Sequence, residues 1–190
     1  MKRLLILNSL LLVSILVLRA QDTTSSSKWE GQYFKYTAAK NSIGVSPLFA
    51  SSPVSDPSMI FAEVNFLNKD YTNRNWTEFI TIFVEQVLKK HLTIDEIRLL
   101  KDENGYVMAR MLFYFNYSGD ILYATLIFRK QLARILTEEK LYAIYQGLMK
   151  LKVDTEGFLW WTKNGKLTSE EQKRAFVVVE LPFFNKHNCP

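Results

Sequence analysis

From residue 94 to residue 128 the chain alternates apolar runs with turn signals. Residues 94–100 are followed by Asp102-Glu103-Asn104-Gly105, residues 106–115 by Asn116-Tyr117-Ser118-Gly119-Asp120, and residues 121–128 close the series. In the middle run Val107, Ala109, Met111, Phe113 and Phe115 alternate with Tyr106, Met108, Arg110, Leu112 and Tyr114, so one face is wholly apolar and the other mixed. A period of two with one apolar face predicts a strand with a core side. Asn-Gly suits a type I′ hairpin turn because both central positions tolerate positive φ at little cost. Three antiparallel strands are therefore expected here. For the third run a helix over residues 121–136 stays open, since Leu122, Thr125, Leu126, Arg129, Ala133 and Leu136 recur at helical spacing; strand is taken as far as Phe128.

Upstream, Ile60, Ala62, Val64 and Phe66 alternate with Phe61, Glu63 and Asn65, the pattern of a strand. Trp76, Phe79, Ile80, Phe83, Val87 and Leu88 then fall at helical spacing, with Glu78, Glu85, Gln86, Lys89 and Lys90 outward. Asn75 and Glu78 stand where an N-cap and its third-position partner would stand. Downstream, Thr137-Glu138-Glu139 opens a second helix whose core stripe is Leu141, Ile144, Tyr145, Leu148 and Leu151, with Lys150 and Lys152 at its end. Gly157 breaks that pattern and residues 158–161 read as a short strand. Consecutive Trp160 and Trp161 must then point to opposite faces, one into the core and the other outward as a candidate partner contact. Asn164-Gly165 turns the chain, residues 168–173 suit one helical turn, and residues 175–181 form a last strand. This order predicts an α+β fold: an antiparallel sheet with two main helices packed on one face, a ferredoxin-like sandwich.

The ends of the chain have another character. Lys2 and Arg3 precede an apolar run over residues 4–18, followed by Arg19-Ala20-Gln21, the organisation of a secretory signal peptide cut after Ala20. The run falls short of the ~20 residues that span a bilayer. Leu18, three residues before the cut, is larger than such sites prefer, which leaves a type II anchor through residues 4–18 as the alternative. Residues 21–57 carry Ser, Thr, Pro and Gly throughout and are expected as a flexible arm, with Trp29, Tyr33, Phe34 and Tyr36 as an aromatic cluster that docks on the domain. The expected organisation is signal peptide 1–20, arm 21–57, a single α+β domain 58–184 and a tail 185–190.

Export changes how charge and cysteine are read. Lys2, Arg3 and Arg19 leave with the signal and no acid does, which brings the net charge from +5 to +2. That is no electrostatic footprint for nucleic acid, and no nucleic-acid partner is expected. Cys189 is the single cysteine, so no intrachain disulfide can form; a tail thiol that links two chains into a homodimer is the functional reading, an incidental thiol the other. Asn75-Trp76-Thr77 and Asn116-Tyr117-Ser118 are N-glycosylation sequons that an exported chain presents at element ends.

Residues 61–66, 79–92 and 97–115 together resemble extracellular SEA domains, the modules of mucins, agrin and enteropeptidase: a strand, an amphipathic helix, then a hairpin with a Gly turn feeding an aromatic strand. The similarity runs over roughly residues 59–161 and implies a SEA-like sandwich. Many SEA domains cleave themselves at a Gly-Ser bond in that hairpin. Here Tyr106 follows Gly105 and Asp120 follows Gly119, so the resemblance implies a non-cleaving member.

Catalytic patterns are sparse. His91 and His187 are the two histidines, too few for most metal sites and poorly placed for a triad. Asp102-Glu103 and Glu138-Glu139 suit turn and helix-start roles better than acid–base chemistry. No cofactor or metal is expected, and no enzyme. The expectation is a secreted glycoprotein interaction module that meets an extracellular protein or glycan, without a membrane span once the signal is removed. A cystatin-like protease inhibitor, which would lack the family's Gln-x-Val-x-Gly stretch, and a carrier of small apolar ligands are the alternatives.

Overall fold

The computed structural model describes residues 27–66 and 69–184. The signal peptide, the tail with Cys189 and His187, and residues 21–26 of the expected arm lie outside the described residues. The first strands are β1 (Ser27–Glu30), β2 (Phe34–Ala38) and β3 (Ser42–Pro47), followed by β4 (Ile60–Phe61) and β5 (Glu63–Phe66). Helix α1 (Lys69–Phe83) runs on through a π turn, Val84–Leu88, and a last turn, Lys89–His91; α2 (Ile94–Arg98) follows. Then come β6 (Ala109–Asn116), β7 (Ile121–Arg129), the 3-10 turn Lys130–Arg134 and α3 (Glu138–Leu148). Strands β8 (Phe158–Thr162) and β9 (Gly165–Lys166), helix α4 (Ser169–Gln172) and strand β10 (Ala175–Pro182) complete the fold.

A seven-stranded sheet, in the order β1-β2-β3-β7-β6-β10-β4, is antiparallel except where β10 pairs parallel with β4. A three-stranded sheet, β5-β8-β9, stands beside it. The fold class is α+β, as the periodicities predict. Helices α1 and α3 meet the large sheet on one face. Trp76 packs on Phe113 and Phe115, Phe79 stacks on Phe113 at 5.1 Å between ring centres, and Tyr145 meets Phe34 edge-on at 6.1 Å. Rings at these separations add to their burial about 0.5–1.5 kcal/mol per pair. Among the described residues no helix is long and apolar enough to cross a membrane.

The expected arm is the largest correction. Its residues 27–47 form β1, β2 and β3, three of the seven strands. Phe34, Tyr36 and Ala38, then Ile43 and Val45, are buried in the core, while Lys35, Thr37, Gly44 and Ser46 alternate with them on the opposite face. Alternation decides the structure here and composition misleads, because Ser, Thr and Gly suit the half-solvated face of a sheet as well as a disordered chain.

Residues 94–100 correct a second expectation: 94–98 form α2 and 99–100 the turn that ends it, not a strand. The Thr93 hydroxyl accepts from Glu96 N while Glu96 Oε2 accepts from Thr93 N, a complete capping box with Asp95 and Glu96 in the first turn. Ile97 and Leu100, three apart, are buried, whereas Ile94 and Leu99 are half exposed. The turn that follows closes from Asp102 O to Gly105 N, with Gly105 at φ 77° and the Asp102 carboxylate accepting from the amides of Asn104 and Tyr106. A single bridge, Lys101 to Val107, is all the strand pairing it supports.

Two smaller differences concern element bounds. The expected strand over residues 60–66 splits at Ala62, so that β4 joins β10 and β5 joins β8. Helix α1 begins at Lys69, six residues before the expected cap, which places Asn75 inside it. Residues 121–128 take the strand reading.

Candidate functional site

The helix-free face of the large sheet is built from the alternate positions of β7, β6, β10 and β4. Tyr114 stands opposite Tyr123 on one side and Val178 on the other, and Leu112 stands between Thr125 and Glu180. Four rings form a ladder across the strands: Tyr123 to Tyr114 at 5.4 Å, Tyr114 to Phe176 at 6.0 Å, and Phe176 to Phe61 at 5.7 Å. Phe176 and Tyr123 are covered by their neighbours, Tyr114, Leu112, Ile127 and Val178 are half-buried, and Phe61 is 58% exposed. Arg110 and Glu180, paired at 2.9 Å across β6 and β10, border the patch. An apolar patch bordered by charge on an otherwise solvated sheet face is the composition of a contact surface rather than of a wetted exterior. Its sequence signal was the mixed, rather than polar, second face of residues 106–115.

Trp160 and Trp161 divide as their alternation requires. Trp160 is buried against Phe115 and Tyr117, its Nε1 without a hydrogen-bond partner among the described residues, so it belongs to the core and offers no partner contact. Trp161 is 36% exposed on the small sheet, between Glu63 and Lys166 in register. It is the member of the pair that remains available.

The two sequons differ more sharply. Asn75 is 6% exposed, and its Nδ2, the atom a glycan would be joined to, donates to the Asp154 carbonyl at 3.4 Å. A glycan at Asn75 and this packing exclude each other. Asn116 lies half-buried at the mouth of the β6–β7 turn, where its Oδ1 accepts from Asp120 N at 2.9 Å, its Nδ2 donates to Asp120 Oδ2 at 3.5 Å and Gly119 takes φ 81°, so it differs from Asn75 in exposure rather than in having a partner. The Lys152 ammonium, bonded to the Asp120 carboxylate at 2.9 Å, holds that carboxyl below the usual range.

Glu138 ties two elements together: at the start of α3, it accepts from the amides of Tyr33 and Phe34 at 2.8 and 3.3 Å and so links the β1–β2 connection to that helix. Burial and the neighbouring Glu138 carboxylate raise the Tyr36 hydroxyl; burial pushes that of Tyr145 up to about 12. Among the described residues no group of three or more His, Cys, Asp or Glu is placed to hold a metal ion.

The fold and this face together define a one-sided α+β sandwich. No family model matches the chain. No curated protein matches it either. Among solved structures it is similar to the crystal structure of a DUF5043 family protein from Bacteroides uniformis ATCC 8492, with a TM-score of 0.42 and 10% identity, over 85% of this chain and 94% of that one.

Proposed function

We propose that this chain is an exported, non-catalytic recognition domain that binds an extracellular protein through the helix-free face of its sheet. The observation that carries the reading is the aromatic ladder from Tyr123 to Phe61 with Leu112, Val178 and Ile127 around it, an apolar patch that the helices leave uncovered. Its export rests on the charged and apolar pattern of residues 1–20. As an exported chain it carries its glycan on Asn116, the sequon whose side chain is not enclosed. The SEA resemblance of residues 61–66, 79–92 and 97–115 supports the same class of protein. Against an interior apolar carrier stands the packing of Trp76, Phe113, Phe115, Phe158 and Trp160 ring on ring in the core.

The test is a binding screen of the exported chain against immobilised extracellular proteins and glycans, beside a Leu112→Glu/Val178→Glu variant. Both substitutions fall on half-buried positions of that face and should leave the far-ultraviolet circular dichroism and a cooperative melt in place. A protein partner bound by the parent and lost by the variant supports the reading. Binding that the variant retains, binding to glycans alone, or none to any partner overturns it.

A further inference from the structure

A depression of about 670 Å³ lies between the 3-10 turn Lys130–Arg134 and residues 99–108. Its floor is apolar: Leu132 is 2% exposed, Met108 and Ile135 each 7%, and Leu99 at the rim is 50% exposed. Gln131 holds Met108 in place, its Nε2 donating to the Met108 sulfur at 2.8 Å.

Three cations surround this floor. Lys101, Lys130 and Arg134 all line the depression, and no carboxylate does. Of the acids nearest in sequence, Asp102 accepts from the amides of its own turn and Glu138 from those of Tyr33 and Phe34, while Glu103 makes no ion pair among the described residues and lies outside the lining. Neither Lys130 nor Arg134 has a carboxylate within salt-bridge distance among the described residues, and Lys101 reaches the Phe184 ring at 5.3 Å. Like charges gathered without a counter-charge repel one another, and an anion relieves that repulsion. The volume is that of a small-molecule site, which couples apolar lining to a few placed polar groups.

We propose that this depression binds single-chain amphiphiles with an anionic head, a carboxylate or phosphate monoester on an alkyl chain. The chain lies over Leu132, Ile135 and Met108, and the head sits among Lys130, Arg134 and Lys101. Neither half suffices alone: a bare anion leaves the apolar floor wet, and a neutral amphiphile leaves the cations uncompensated.

The experiment titrates the full chain, labelled on its methionine methyl groups, with decanoate and with decyl phosphate below their micelle concentrations at low ionic strength. Both should shift the Met108 methyl resonance saturably, and calorimetry should show affinity falling as salt rises. A Lys130→Gln/Arg134→Gln variant should bind about tenfold or more weakly, the loss of one or two charge-assisted contacts. Lys166→Gln/Lys173→Gln, the same change of charge elsewhere, should bind as the parent does. Leu99→Ser, at an exposed position, provides a second variant that weakens binding through the rim. Equal binding of decyl maltoside, an equal Met108 shift with inorganic phosphate, unchanged affinity in the charge variant, or a response to phosphatidylglycerol vesicles only would each overturn the proposal. None of these readouts involves Leu112 or Val178, so this site and the sheet face fail independently.

Discussion

At the scale of single residues, two glycines show how local geometry is imposed. Gly105 and Gly119 both take positive φ, at 77° and 81°. Around Gly105 an added Cβ meets nothing within 4 Å, whereas at Gly119 it would lie against the Val153 carbonyl oxygen, a backbone atom of the segment between α3 and β8. Val153 N donates to Gly119 O at 2.8 Å, so neither backbone can retreat without losing that bond. Gly105→Ala should therefore cost only the left-handed backbone penalty, about 1–2 kcal/mol. Gly119→Ala should cost that and the displacement of Val153, roughly 2–3 kcal/mol further. Urea unfolding of the two variants checks the order, and equal losses would mean that the Val153 contact yields freely. The turn itself was legible in Ser118-Gly119-Asp120; its close approach to residue 153 was not, because nothing in a local pattern reports a neighbour so far along the chain.

The elements depend on side chains that serve two of them at once. Glu96 completes the cap of α2 and also bonds Lys140 of α3 through Oε1 at 2.5 Å, and that Lys140 contact, with the Thr93 amide, lowers its pKa. A carboxyl with a depressed folded pKa contributes stability above its unfolded value of 4.5, and loses it as pH falls through the lower folded value. Glu96→Gln keeps an acceptor for the cap and removes the charge, so it should cost about 0.5–1 kcal/mol at neutral pH. Thermal melts from neutral to acidic pH should show parent and variant converging as the carboxyl protonates; a gap that persists at low pH would mean that the charge pair is not its source. The Thr93-x-x-Glu96 spacing is a capping-box signature that could have marked this helix, and so could the helical spacing of Ile97 and Leu100, both buried. Helix α3 packs closely enough that a Cβ on Gly147 would meet Val87 Cγ1, in the π turn after α1, at 2.7 Å. Gly147→Ala should therefore destabilise the protein despite alanine's advantage of about 1 kcal/mol in a helix. Adding Val87→Ala should recover part of that loss, a coupling that a double-mutant cycle reads directly.

At the scale of the whole molecule, the strands of β6, β7, β8 and β10 and the core stripe of α3 could be read from short-range periodicity, and so could the division of Trp160 from Trp161. What could not be read was membership: which sheet a two-residue strand joins, and whether a Ser-rich segment has a strand to lie against. The N-terminal strands make this a matter of stability. Phe34, Tyr36, Ile43 and Val45 enter the same core as Phe113 and Tyr145, and each side chain of this size contributes about 1.5–3 kcal/mol on burial. Four such contributions are comparable with the roughly 5–15 kcal/mol of net stability that a domain possesses. Removing them also strips β7 of its partner β3, leaving a long apolar strand as an open edge. A chain shortened to begin at Ser27 should melt cooperatively as a soluble species. One shortened to begin at Ser51 should lose the cooperative transition and aggregate, which size-exclusion chromatography and circular dichroism would show. If the shorter chain instead remains compact with a comparable melting temperature, residues 27–47 are an appendage to the domain, as their composition alone implies, and the seven-stranded sheet is not its folding unit.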